Sequence, residues 1–243
     1  MNIFQKIAGT LFPPYKFSVI RNEQGKLFSA IINSLPDEFR EIKEQLTLAR
    51  FMDLKDWVLF PDYKFVTMYY PGESLFRFKE RGKNYKISGV TIFSKRTNKW
   101  EQIEILVHDN LINGLRVENS NYDLSEFDLS RIGNSNVSKA DLIFPPGEID
   151  KFYAKLPEGI KANLDPNRLE EIDFGNRLFY AFYDLEDGNY LAIDKKLNVY
   201  SLVHDARPMV KKMDVTFQSI LDALTNGSFR KEQHLDERYG AKD

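Results

Sequence analysis

The 243-residue sequence contains no cysteine. Disulfide staples, thiolate metal ligands and a thiol nucleophile are therefore excluded, and a reducing compartment suits the chain. Histidine is nearly as scarce. His108, His204 and His234 are the whole set, and no two stand at a metal-binding spacing. No glycine-rich phosphate cradle occurs, neither GxxxxGK with Ser or Thr nor GxGxxG, and no GxSxG nucleophile elbow. No apolar run reaches the roughly 18 residues of a membrane-spanning helix. The first residues, MNIFQKIAGTLFPPYK, lack a basic start and are broken by Pro13-Pro14, so they do not read as a secretory signal. These absences point to a cytoplasmic protein without a cofactor, a metal or a membrane partner. Excess charge is also missing: the net charge is −2, which gives no polyanion-binding signature.

What is present is apolar and aromatic. Hydrophobic residues make up 42% and aromatics 14%, enough for a packed core and against disorder. Up to Val137 there are 19 basic and 17 acidic residues (+2); from Ser138 there are 15 and 19 (−4). The second half thus leans towards basic partners.

The pattern predicts an α+β fold in two domains. Ile3, Phe4, Ile7 and Leu11 share a helical face. Tyr15–Arg21 alternates weakly, as a short strand would. After Gly25 a helix places Leu27, Ile31 and Ile32 inward. Leu35-Pro36-Asp37 opens a second helix, which carries Phe39, Ile42, Leu46 and Ala49 and ends by Asp53–Trp57. Period two then takes over. Lys64–Tyr70, Leu75–Lys79, Asn84–Lys95, Lys99–His108 and Leu111–Glu118 read as five strands of an antiparallel meander, with a bulge near Gln102. The polar stretch after it places a boundary at Gly133–Ser138. The domains are then 1–135, helices on the meander sheet, and 138–228, a smaller α+β unit, with a charged tail at 229–243 that is either frayed or a solvated helix. In the second domain Glu148–Ala154 is a short helix, and Leu156-Pro157-Glu158-Gly159 turns the chain. Leu178–Tyr183, Tyr190–Asp194 and Val199–His204 are strands, the first two joined by a tight Asp187-Gly188 turn. Phe217, Ile220, Leu221 and Leu224 form the stripe of a closing helix that ends at Gly227.

Few residues invite chemistry. His108 and His204 each precede an aspartate, Asp109 and Asp205. An oriented general base is one reading of such a pair, and a residue at a strand edge is the plainer one. Asp184, Glu186, Asp187 and Asp194 make an acidic hairpin without calcium-loop spacing, suited to a basic protein surface. Lys79, Arg81, Lys83 and Lys86 make a basic hairpin around Tyr85. On a near-neutral domain this reads as edge protection rather than nucleic-acid binding. The run Phe179, Tyr180, Phe182 and Tyr183 covers both faces of a strand, with Tyr183 available to a binding surface.

The stretch Asn176–Leu224 resembles the C-terminal part of the SUKH superfamily, which includes glucan-synthesis-regulator-like, Syd-like and bacterial immunity proteins. The similar features are the apolar strand ending at Tyr183, Asp187-Gly188-Asn189-Tyr190, the strand Leu191-Ala192-Ile193-Asp194, Val199-Tyr200 with His204-Asp205, and the helix introduced by Thr216-Phe217. Upstream, Glu148 to Leu156-Pro157-Glu158 is similar to the elements that open that fold. The resemblance covers residues 140–226 and implies a non-enzymatic binding module, with no catalytic set to carry over. The expected function is an immunity protein neutralising a co-encoded, basic toxin through a face around Tyr183, Glu186, Asp187 and Asp205. A cytoplasmic regulatory or scaffold protein of the same fold, and an enzyme with an unrecognised site between the domains, remain as alternatives.

Overall fold

The computed structural model describes residues 13–240, so the helix expected over residues 3–11 lies outside the described residues. The chain forms two compact units, Met1–Phe144 and Pro145–Asp243, each an α+β structure.

The first unit opens with α1 (Pro13–Ser34), a 3-10 turn at Asp37–Phe39 and α2 (Arg40–Leu48). Tyr15–Arg21 belongs to α1 and is not a strand, and Phe17 within it is exposed. Gly25 lies within α1 rather than before it. A side-chain carbon there would stand 3.2 Å from the Phe51 ring, so the glycine lets that ring pack against the helix backbone. Seven strands follow: β1 (Arg50–Asp56), β2 (Lys64–Tyr69), β3 (Tyr85–Ser94), β4 (Lys99–His108), β5 (Leu111–Val117), β6 (Phe127–Gly133) and β7 (Ser138–Asp141). They form one antiparallel sheet in the order β1-β2-β5-β4-β3-β6, with β7 also on β3. Only β3-β4-β5 is a meander. Leu27, Phe28, Ile31 and Ile32 of α1 and Ile42 of α2 bury against Ile87, Ile92, Ile103, Ile105 and Val107.

Four sequence expectations need correction here. β1 takes the place of the helix end expected by Asp53–Trp57. Its Met and Leu are good helix formers, and a register shift between Phe51 and Asp53 spoils its alternation. The strand expected at Leu75–Lys79 is a one-turn helix, α3 (Ser74–Phe78), which buries only Phe78. The expected bulge near Gln102 lies instead on β3, where Ser88 and Gly89 stand opposite Glu104 alone. Gly89 has φ +87°, and a side-chain carbon on it would meet the Asn136 carbonyl at 2.0 Å. Asn136 belongs to the Gly/Asn/Ser stretch expected to be a linker. That stretch packs onto the bulge and returns as β7, so the first unit runs on to Phe144.

The second unit has helices α4 (Glu148–Ala154) and α5 (Glu158–Lys161), then β8 (Glu170–Phe174), β9 (Arg177–Glu186), β10 (Asn189–Ile193), β11 (Val199–Leu202) and β12 (Val210–Lys212). α6 (Phe217–Thr225) and α7 (Lys231–Gly240) close it. The strands form an antiparallel meander in sequence order. The Asp187-Gly188 turn forms as expected, with both residues at positive φ between the paired Glu186 and Asn189. Thr216 caps α6 through Ser219 N, and Gly227 follows it at φ +70°. Tyr180, Phe182, Leu191, Ile193 and Val199 face Phe217, Ile220 and Leu221 of α6. Phe179, Ala181, Ala192, Tyr200 and Leu202 form a smaller core on the other face. The sheet curls over this second core. A carbon on Gly175, in the β8–β9 turn, would lie 3.8 Å from Val210 of the far edge strand, and Phe174 reaches the His204 ring at 4.4 Å.

Gly89→Ala combines a forbidden backbone angle with a backbone clash and is expected to destabilise the protein by about 3 kcal/mol. Gly82 has a similar φ of +81° but open space around it, so Gly82→Ala should cost only about 1 kcal/mol. Urea unfolding followed by circular dichroism checks the pair; equal losses would refute the close-approach explanation.

Candidate functional site

At one end of the second sheet the chain gathers carboxylates from distant positions. Asp187 lies at the tip of the β9–β10 turn and Asp205 in the loop after β11, and both are exposed. Asn189, 4% exposed, joins the two segments: its Oδ1 accepts from His204 N at 2.9 Å. A carbon on Gly188 would stand 3.4 Å from the His204 ring, so glycine lets the loop lie directly over the turn. Asp184, on the hairpin arm, is exposed and accepts from Glu186 N at 2.7 Å. Met209, in the same loop as Asp205, leaves 47% of its surface exposed.

The other two expected contact residues face the segment that runs into α7. Tyr183 is half-buried and meets the Phe229 ring edge-on at 5.7 Å. Glu186 is paired with Lys231 at 2.6 Å. The turn bearing Asp187 and the loop bearing Asp205 thus lie against each other at the rim, while Tyr183 and Glu186 contact Phe229 and Lys231 at the start of the last helical segment. Asp194, counted with the acidic hairpin, sits at the opposite end of β10. There it accepts from Lys196 N, Asn198 N and the side chains of Asn198 and Tyr200. Burial pushes its carboxyl pKa up, but these hydrogen bonds outweigh burial and hold it low.

The tail expected to be solvated is a docked helix with a polar inner face. Lys231, His234, Leu235 and Arg238 follow helical spacing, and all but Leu235 are held by hydrogen bonds. His234 Nε2 lies 2.8 Å from the Ser201 hydroxyl. Arg238 donates to the Pro208 carbonyl, and Tyr239 OH accepts from Asn189 Nδ2 at 3.3 Å. Ser201 and His234 have the spacing of a nucleophile and its base. Ser201 is fully buried beneath the helix, so the pair serves docking rather than attack on a substrate. Sequence reasoning missed it because 33 residues separate the partners and neither stands in a motif.

The remaining candidates resolve as structural. Tyr85, the ring of the basic hairpin, is 4% exposed and donates to Asn110 Oδ1. Lys83 pairs with Glu80 and Glu41, and Lys86 with Glu104. His108 lies against Phe144 at 5.5 Å and 3.8 Å from Asp109, on an exposed strand end. Among the described residues no group of three His, Asp or Glu side chains could hold a metal, and no helix is long and apolar enough to cross a membrane.

Glu104 carries a strongly shifted carboxyl in the first unit. It alternates with the core residues Ile103 and Ile105, so it faces away from the helices. It accepts from Tyr63, Lys86 and Arg116 at 2.8–2.9 Å. Burial raises its pKa, but these three donors and the Lys86 charge more than offset that and bring it down to about 2. Its stabilisation is complete above the usual glutamate pKa of 4.5 and is lost as pH falls towards about 2. Thermal midpoints should therefore fall more steeply over this window in the wild type than in Glu104→Gln; parallel curves would refute the assignment.

His234 behaves in the opposite chemical sense. Burial, and then the Arg238 charge, lower its pKa below 6.5; Glu237 acts against this and Lys211 with it. The folded state therefore holds the neutral ring. Its stabilisation is complete above pH 6.5 and is lost as pH falls from there to the lowered value. Amide hydrogen exchange over residues 231–240 should accelerate relative to the rest of the second unit as pH falls below about 6.5, and His234→Gln should flatten the change. An unchanged pH response in the variant would overturn the role given to the ring.

No family model, curated protein or solved structure matches this chain.

Proposed function

We propose that this protein is a non-enzymatic protein-binding module, most sharply an immunity protein that neutralises a co-encoded basic toxin. The observation that carries the reading is the rim where the Asp187-Gly188 turn lies against His204, in the loop that also carries the exposed Asp205 and Met209. Carboxylates around an apolar contact suit a basic protein surface: the charges steer encounter and set register, and the apolar centre supplies burial. Residues 145–243 carry 14 basic and 18 acidic side chains, a net −4, in keeping with such a partner. The similarity of Asn176–Leu224 to the SUKH superfamily supports the same class of function, and it rests on sequence features alone.

A regulatory or scaffold role is the second reading, and the first unit favours it. Val58, Leu59 and Ile143 are 93%, 79% and 98% exposed, and the Phe60–Phe144 contact at 6.1 Å draws their segments together. An apolar surface of this kind suits contact with a further protein.

A low-salt pull-down of the tagged full chain from its native lysate tests the proposal. The expected result is one basic protein retained in equal amount. Its affinity should fall at least about tenfold with Asp187→Lys plus Asp205→Lys, because each reversal replaces attraction by repulsion. Equal retention by the reversed variant would overturn the rim as the contact surface. Several substoichiometric proteins would favour the scaffold reading.

A further inference from the structure

The opposite end of the second sheet has a different chemistry. α4 and the β10–β11 turn face each other across a cleft of about 330 Å³. Phe152 of α4 lies flat on Tyr180 of β9, with centroids 3.8 Å apart and 4° between the ring planes. Leu156, Pro157 and Leu197 complete the apolar lining. The polar lining is Lys151, Lys155, Lys195 and Glu148, three cations against one carboxylate. Lys151 holds Glu148 at 2.8 Å. Lys155 and Lys195 are exposed and form no ion pair within 4 Å among the described residues, so the three cations outnumber the one carboxylate that lines the cleft.

Three contributions to the cleft come from separate parts of the chain: helix α4 with the following Leu156-Pro157, strand β9, and the turn containing Lys195 and Leu197. Their convergence shows in the electrostatics of Glu148. Its pKa is lowered first by the hydrogen bond and charge of Lys151, and the charges of Lys195 and Lys155 add to this. All three ammonium groups therefore act on one small region. Like charges gathered beside an apolar floor repel one another, and an anion in their midst relieves that repulsion. A cleft of this size is at the lower end of small-molecule sites, which run from about 300 Å³. One or two fused rings fill it, and a dinucleotide does not.

We propose that this cleft binds a small flat organic anion, with its ring system against Phe152 and Leu197 and its acidic group between Lys155 and Lys195. The acid is a carboxylate or a phosphate ester; both offer the charged oxygens that paired lysines recognise, while the flat body answers to the aromatic floor. The site is independent of the acidic rim, since the Asp187-Gly188 turn and the Lys195 turn lie at opposite ends of β10.

Fluorescence titration of the full chain with anilinonaphthalene sulfonate, an anion with a fused naphthalene pair and one further phenyl ring, supplies the test. Saturable binding at one site is expected, and higher salt should weaken it. Lys155→Gln plus Lys195→Gln should lower affinity about tenfold or more, the loss expected when charged partners of an anion are removed. Both lysines lie at the surface of the cleft, so the variant should keep the wild-type thermal midpoint. The neutral phenylnaphthylamine should bind wild type and variant alike. Competition by naphthoate or by adenosine monophosphate then distinguishes a carboxylate ligand from a phosphate ester. Absence of saturable binding, or equal affinity in the double variant, would overturn the proposal. Neither result would bear on the toxin-binding reading, which stands on the other end of the sheet.

Discussion

The buried side chain of Asn189 organises the second unit. One amide joins three segments: it accepts from the backbone of the loop after β11 and donates to Tyr239 of the last helix, while its own backbone begins β10. An amide withdrawn from water loses about 1–3 kcal/mol if its partners are absent, so the three segments take their places together or not at all. The rim carrying Asp187 and Asp205 exists because of this junction. Neither carboxylate contributes to forming it, which leaves both free for an outside partner.

The first unit contains a similar device at the β4–β5 turn. Asn110 is fully buried, in a left-handed conformation with φ +61°. Its side chain donates to Glu41 and to the Phe78 carbonyl and accepts from Tyr85, while Gln45 donates to its carbonyl. The turn is thereby pinned to α2 and α3. Every polar group in this network has a partner, so it specifies one arrangement of helix on sheet without leaving an orphan. In each unit a turn asparagine, rather than an apolar contact alone, sets the position of a helix.

Local signals in the sequence carried far. β4 runs from Lys99 to His108, as its alternation indicates, and the Asp187-Gly188 turn and the Thr216–Gly227 limits of α6 follow from turn and cap chemistry. Failures occurred where a distant partner overrides local preference. β1 has helix-forming residues and is a strand because β2 pairs with it. Residues 133–138 have a linker's composition but pack against the bulge at Gly89. The inner face of α7 resembles a solvated face because its contacts are ionic and polar, so hydrophobic periodicity could not reveal it. The candidate sites divide in the same way. Asp187 and Asp205 stand out as turn residues, and the approach of their segments becomes visible only through the Asn189–His204 hydrogen bond. Lys155 and Lys195 lie 40 positions apart in the sequence, and no local rule links them.

The polar underside of α7 has a consequence for what the molecule shows when that helix lifts away. Most helices leave a greasy scar on departure, which recruits other chains. Here the vacated seat would present Glu186, the Ser201 hydroxyl, the Asn189 amide and the carbonyls of Pro208 and Met209, all groups that water can satisfy. The apolar contacts of the helix are few: Leu235 on the core, and the His234 ring on Phe229. Such a helix can part from its sheet and return without committing the protein to aggregation, so the end of this chain is reversible in a way that its core helices are not.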